Sequence, residues 1–96
     1  MEFLVHITIA LPSGMPSDER QALYAAESAQ AASLAKSGRL VRLWRIPGRT
    51  ANWGLWNATD ATELHAVLTS LPMWLYMDIE VMPLAAHPND PAGNAP

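Results

Sequence analysis

The sequence predicts an α+β fold, a four-stranded antiparallel sheet with two helices on one face. Three observations carry it. The chain opens on a stretch of alternating apolar and polar residues. Two later segments place apolar residues at helical spacing. With the remaining extended segments, the order reads strand, helix, strand, strand, helix, strand. That order is the split βαβ plan, with the helices covering one side of the sheet. The other side is left bare, and half of the 96 residues are hydrophobic. So small a chain has little interior in which to hide that surplus, which favours association.

Residues 2–11 alternate. Phe3, Val5, Ile7, Ile9 and Leu11 point one way; Glu2, Leu4, His6, Thr8 and Ala10 point the other. The first face is wholly apolar and the second only partly polar, so something covers the second as well. Residues 12–16 contain two prolines and a glycine and form a loop. Ser17 is placed to cap a helix opening with Asp18 and Glu19, whose charges suit the positive end of the helix dipole. The helix runs to about Ser37 and stops at Gly38. Its inward stripe is Leu23, Ala26, Gln30, Ala31 and Leu34. Glu27 lies inside that stripe, between Leu23 and Ala31. Either it sits at the margin and reaches water, or it is desolvated and holds its proton more tightly.

Two short strands follow, over about 39–47 and 50–57, joined at Pro47-Gly48. Lys36, Arg39, Arg42, Arg45 and Arg49, five of the six basic residues, lie in or just before this stretch, with Trp44, Trp53 and Trp56. Alternation places Arg45 with Val41 and Leu43, and Arg42 with Trp44 and Ile46. One reading is an edge strand that uses arginine to resist aggregation; the other is the wall of a binding site. An L-Pro-Gly pair suits type I or II turns rather than the primed turns of two-residue hairpins, so a longer connection or a bulge is expected. Thr59 is placed to cap a second helix over about 60–71, with Leu64, Val67, Leu68 and Leu71 inward and Pro72 ending it. His65 is one residue off that stripe, on the helix flank. In the last strand, 76–84, Met77, Ile79 and Val81 face the core, while Tyr76, Asp78, Glu80 and Met82 face away or sit at its ends. Residues 85–96 form an irregular C-terminal arm of a single domain spanning 1–96. The plan is ferredoxin-like, with two sheets packing together as in dimeric α+β barrels.

Composition narrows the function. A net charge of −3 argues against a nucleic-acid partner. The RNA-binding version of this strand order stacks bases on aromatics of its first and third strands. Here Trp53 and Trp56 are three apart, on opposite faces, and the first strand offers only His6. With no cysteine, disulfides, thiolate chemistry and cysteine-rich zinc sites are excluded. Three scattered histidines make no metal site. The first residues are acidic and alternate, unlike a signal peptide, and no apolar run approaches the ~20 residues of a membrane span. The expectation is a soluble cytoplasmic protein.

No phosphate loop, HExxH motif or Ser/His/Asp pattern is present. What remains is an acid on an apolar helix face, arginines on strands and aromatic walls. These suit a small anionic ligand and a transferred proton.

Leu43-Trp44-Arg45-Ile46, Gly48, Ala51-Asn52, Leu64-His65, Leu71-Pro72, the run from Tyr76 to Val81, and His87-Pro88 together resemble the muconolactone Δ-isomerase family over about residues 3–88. The resemblance implies a cofactor-free proton shift within a carboxylated lactone, giving 3-oxoadipate enol-lactone in aromatic catabolism. It also implies a homodecamer built from sheet-to-sheet dimers. It makes Glu27 the catalytic acid–base group. The candidate substrate-binding residues are Arg45, Asn52, Trp44, Tyr76 and His6; Arg45 lies in the tightest part of the matching motif and shares its face with Val41 and Leu43, which would sequester it for the substrate carboxylate. No cofactor or metal is implied. The chain departs from the family pattern at Ser28, where a lysine is typical, and at Thr50, where a tyrosine is typical. Trp53 and Trp56 stand where smaller aromatics are usual, and Trp74-Leu75 replaces a Phe-Pro pair. A chloromuconolactone dehalogenase shares the family, and a divergent member could act on another small molecule or only bind it.

Overall fold

The computed structural model describes residues 1–93. The elements are β1 (Glu2–Ile9), α1 (Ser17–Lys36), β2 (Leu40–Arg45), β3 (Ala51–Asn57), α2 (Ala61–Thr69) and β4 (Met77–Leu84), with a 3₁₀ turn at Trp74–Tyr76 before β4. The sheet order is β2-β3-β1-β4, and each pairing is antiparallel. The expected order of elements and the four-stranded sheet are therefore present.

Register decides which side chains share a face. Val5 lies opposite Gly54 on β3 and Val81 on β4; Ile7 lies opposite Asn52 and Ile79. Phe3, Val5, Ile7 and Trp56 on this face form the buried core with Leu34 of α1 and with Leu64, Leu68 and Leu71 from α2 and just beyond it. Fully burying such side chains contributes roughly 1.5–3 kcal/mol each before entropy is counted. The other face carries His6, Trp53, Trp44 and Glu80 in cross-strand register. The His6 and Trp53 rings meet at 4.8 Å, and the Arg42 guanidinium lies 4.8 Å over the Trp44 ring. Trp44, Met82 and Leu84 remain exposed there. No element of the chain covers that side among the described residues.

The helix ends differ in detail from expectation. Ser17 is the first residue of α1, not its cap; Pro16 takes the cap position without a side-chain hydrogen bond. The loop is held by Arg20 instead, whose Nη2 and Nε donate to the carbonyls of Pro12 and Met15. At the other end Gly38 has φ +82°, its N–H donates to Ala35 O, and Arg39 N–H donates to Leu34 O. These are the two bonds of a Schellman stop, and glycine enters the left-handed region without steric cost. Ala26 is exposed; the inward stripe is Leu23, Glu27, Gln30, Ala31 and Leu34.

Asp60, not Thr59, caps α2, its Oδ1 accepting from Glu63 N at 2.9 Å. Glu63 in turn accepts from the Thr59 N–H and hydroxyl, so Thr59 is occupied as a donor. The helix stops at Thr69, two residues before the expected end, because Pro72 disfavours helical geometry in the residue before it.

The β2–β3 connection turns at residues 46–49. Arg49 N–H donates to Ile46 O, and Gly48 has φ +77° after Pro47, the pattern of a type II turn. The register irregularity falls at Val41, between Leu40 and Arg42, rather than beside the turn. Leu40 therefore joins Leu43 and Arg45 on the helix side, while Val41 is left exposed. Residues 85–93 carry turns only, and residues 94–96 of the expected arm lie outside the described residues. No helix among the described residues is long and apolar enough to cross a membrane.

Candidate active site

Helical spacing turns Glu27 toward the sheet from the middle of α1. Its Oε1 accepts a hydrogen bond from the Met73 backbone N–H at 2.9 Å, across from the segment that follows α2. Gln30, one turn along, donates to Ser70 Oγ at 2.9 Å and fixes the same pair of elements. Burial raises the Glu27 pKa above its ordinary 4.5, and the Met73 N–H opposes that rise by favouring the anion. The counterweight to desolvation is thus a backbone amide.

Glu27 borders a cavity of about 200 Å³ between α1 and the sheet, together with Tyr24, Ser28, Asn52, Trp56 and Met73. A wider hollow of about 500 Å³ carries Trp44, Arg45, Arg49 and Thr50 on its wall. Ile9, Tyr24, Leu43 and Asn52 line both, so the wider hollow is the approach to the inner cavity. The arrangement is polar in a definite direction, with two cations at the mouth and an acid of raised pKa inside.

The candidate residues divide accordingly. Glu27 and Asn52 share the inner cavity; Arg45 stands at its mouth, while Trp44 borders the mouth from the edge strand with its ring on the opposite, bare face beside Arg42. Arg45 is exposed rather than sequestered, as the last residue of edge strand β2. His6 is not in the cavity: strict alternation along β1 puts it on the opposite face from Val5 and Ile7, against Trp53. Tyr76 lies in the 3₁₀ turn, where its carbonyl accepts from Ala10 N–H, and lines neither space. Sequence reasoning missed Tyr24 and Trp56 as site residues. Tyr24 is one helical turn before Glu27, and Trp56 alternates onto the same face as Asn52; both signals were readable. Ser28 and Thr50, two of the departures from the family pattern, border the cavity and its mouth respectively. Among the described residues no group of three His, Asp or Glu side chains gathers to hold a metal ion.

A four-stranded βαββαβ sheet with a half-buried acid on the inner face of its first helix defines a class, small α+β proteins of ferredoxin-like plan. Comparison with known proteins narrows that class. The family model described as muconolactone delta-isomerase matches residues 1–90. Muconolactone Delta-isomerase 1 of Acinetobacter lwoffii is 38% identical over 89 residues, covering 93% of each chain. The enzyme of the same name from Pseudomonas aeruginosa is 39% identical over the same shares. A crystal structure of muconolactone isomerase superposes with a TM-score of 0.90 at 36% identity, covering 98% of both chains. The chain belongs to the muconolactone Δ-isomerase family.

Proposed function

We propose that this protein is an intramolecular isomerase that moves a proton within muconolactone or a close carboxylated lactone, giving 3-oxoadipate enol-lactone, without a cofactor. The observation that carries the reading is Glu27, an acid of raised pKa in a cavity between α1 and the sheet whose mouth holds Arg45 and Arg49. Family membership supplies the substrate class. The lactone's carboxylate meets the arginines while its ring reaches inward to Glu27. The carboxylate of Glu27 takes a proton from one ring carbon, the electron pair spreads through the ring toward the lactone carbonyl, and the proton returns at another ring carbon. Atoms and electrons balance, and only the double bond moves. A base whose pKa lies nearer the working pH gives its proton back more readily.

Incubation with muconolactone, followed by ultraviolet absorbance, tests this directly. Enol-lactone formation is expected. Binding without turnover would make the protein a binding module, and chloride release from the chlorinated lactone would make it a dehalogenase.

Arg45 is expected to act on the carboxylate as a bidentate donor. Arg45→Ala should raise KM roughly tenfold, the lower end for a hydrogen bond to a charged group, because the site is exposed. Arg45→Lys keeps the charge without the fork and should fall between. An unchanged KM in both variants would reject the assignment.

The bare sheet face, with Trp44, Met82 and Leu84 exposed, supports pairing with a second copy. The resemblance extends this to a decamer built from such dimers, working in the cytoplasm. Sedimentation of the dilute protein should give a species well above the 10.5 kDa chain mass; a monomer would contradict it.

A further inference from the structure

Two polar atoms at the inner cavity are buried without a partner among the described residues: Asn52 Oδ1 and Trp56 Nε1. Trp56 is only 2% exposed. A buried indole N–H without an acceptor is costly, since it has given up water and gained nothing. Gly54 explains how the ring lies. A Cβ at that position would stand 2.5 Å from Trp56 Nε1 and 3.4 Å from Leu43 Cδ1. The indole edge therefore rests over Gly54, which separates Trp56 from Asn52 on the cavity side of β3. Both unpartnered atoms belong to residues lining the cavity that holds Glu27.

We infer that Trp56 Nε1 is a substrate-contacting donor, and that its acceptor is the carbonyl oxygen of the bound lactone. This rests on the lactone reading above. Charge selects the carbonyl over the carboxylate. The inner cavity has the Glu27 acid on its wall, which repels a second carboxylate once ionised, while Arg45 and Arg49 stand at the mouth. A carboxylate therefore settles outside, and the neutral end of the molecule faces Trp56. When the proton leaves the ring, negative charge develops on that same oxygen. The N–H has no open surface in this structure, so the ligand uncovers it on entering, and it then stabilises that oxygen more in the transition state than in the ground state.

Trp56→Phe removes the donor and keeps an aromatic ring. It should lower kcat roughly tenfold with a smaller change in KM, the scale of one hydrogen bond that strengthens with charge. The smaller ring also leaves a void in the core, so Tm should fall, and the split between kcat and KM rather than stability separates this role from packing. The deciding experiment uses two unreactive ligands, a saturated five-membered lactone bearing an acetate side chain and the cyclic ether with the same side chain but no carbonyl. The unsubstituted protein should bind the lactone roughly fivefold to tenfold more tightly than the ether, and Trp56→Phe should bind them alike. Should Trp56→Phe fail to fold, the Trp56 indole proton of the unsubstituted protein gives the same answer. It should move downfield in nuclear magnetic resonance spectra with the lactone and stay in place with the ether. A preference retained in Trp56→Phe, an indole proton unmoved by the lactone, or equal binding of both ligands by the unsubstituted protein would overturn the assignment alone. Binding of neither ligand would overturn the lactone reading and this assignment with it.

Discussion

Glu27→Gln should lower kcat by on the order of a hundredfold or more, the usual scale for a general acid–base group, while folding and assembly persist. Glutamine keeps the shape and its Oε1 still accepts from Met73 N–H, but it cannot carry a proton back and forth. The same substitution has a signature in stability. Burial raises the folded-state pKa of Glu27 above its ordinary 4.5, so the unfolded chain releases this proton at lower pH than the folded protein does. The contribution of the protonated acid is full below that ordinary value and is lost as pH rises through the raised one. Denaturation curves of Glu27→Gln and the parent should therefore coincide in acid and separate in favour of glutamine toward neutral pH. Wild-type turnover in the variant would remove Glu27 from the mechanism. Coincident stabilities at all pH values would show that its burial carries no cost.

Gly54→Ala should destabilise the protein by roughly 1–3 kcal/mol, the usual range for an overpacked core. The backbone at Gly54 is ordinary strand, so alanine meets no φ penalty and gains a little by restricting the unfolded chain. Steric contact decides the sign, because the added Cβ meets Trp56 Nε1 at 2.5 Å and that ring is rigid and enclosed. At one fixed protein concentration Tm should fall by about 4–8 °C per kcal/mol. Phenylalanine at residue 56 has no atom at the Nε1 position. In a Trp56→Phe background Gly54→Ala should therefore cost clearly less. An equal cost in both backgrounds would place the strain elsewhere.

How much of this was legible depended on which physical rule governed each residue. Alternation in β1 determined its buried face without ambiguity, since Phe3, Val5 and Ile7 leave no competing register. Glu27 was conspicuous because a carboxylate interrupts an apolar helical stripe, and the stripe can only face the sheet. The caps were less legible: Ser17 and Thr59 are good capping residues, but Pro16 and Asp60 took those positions. Choosing between neighbours depends on side-chain partners such as Glu63 that local pattern does not rank. The bulge at Val41 carries no glycine or proline to announce it, so Val41 was placed on the face of Leu43 and Arg45, where Leu40 stands instead. Arg45 was expected to be enclosed because it was placed on one face with apolar Val41 and Leu43; Leu43 is itself exposed, because β2 is the edge of the sheet, which is a tertiary fact. His6 was the opposite case, since the alternation that buried Val5 already placed it on the far side. Trp56 escaped notice as a polar group because its unpartnered N–H exists only in relation to Gly54 and the packed helix above.

The position of β1 between β3 and β4 also sets the order in which the protein can form. Glu2 lies opposite Leu84, so the first strand to be synthesised pairs with the last. Only the helices and the β2–β3 hairpin are built from neighbours in the chain. Closing contacts over such separations sacrifices chain entropy before burial rewards it, which makes folding slow and concentrates it in a late step. The bond from Met73 to Glu27 likewise spans 46 residues. A nascent chain that ends before Met73 therefore has its acid but neither the amide that meets it nor the Met73 and Met77 walls of its cavity.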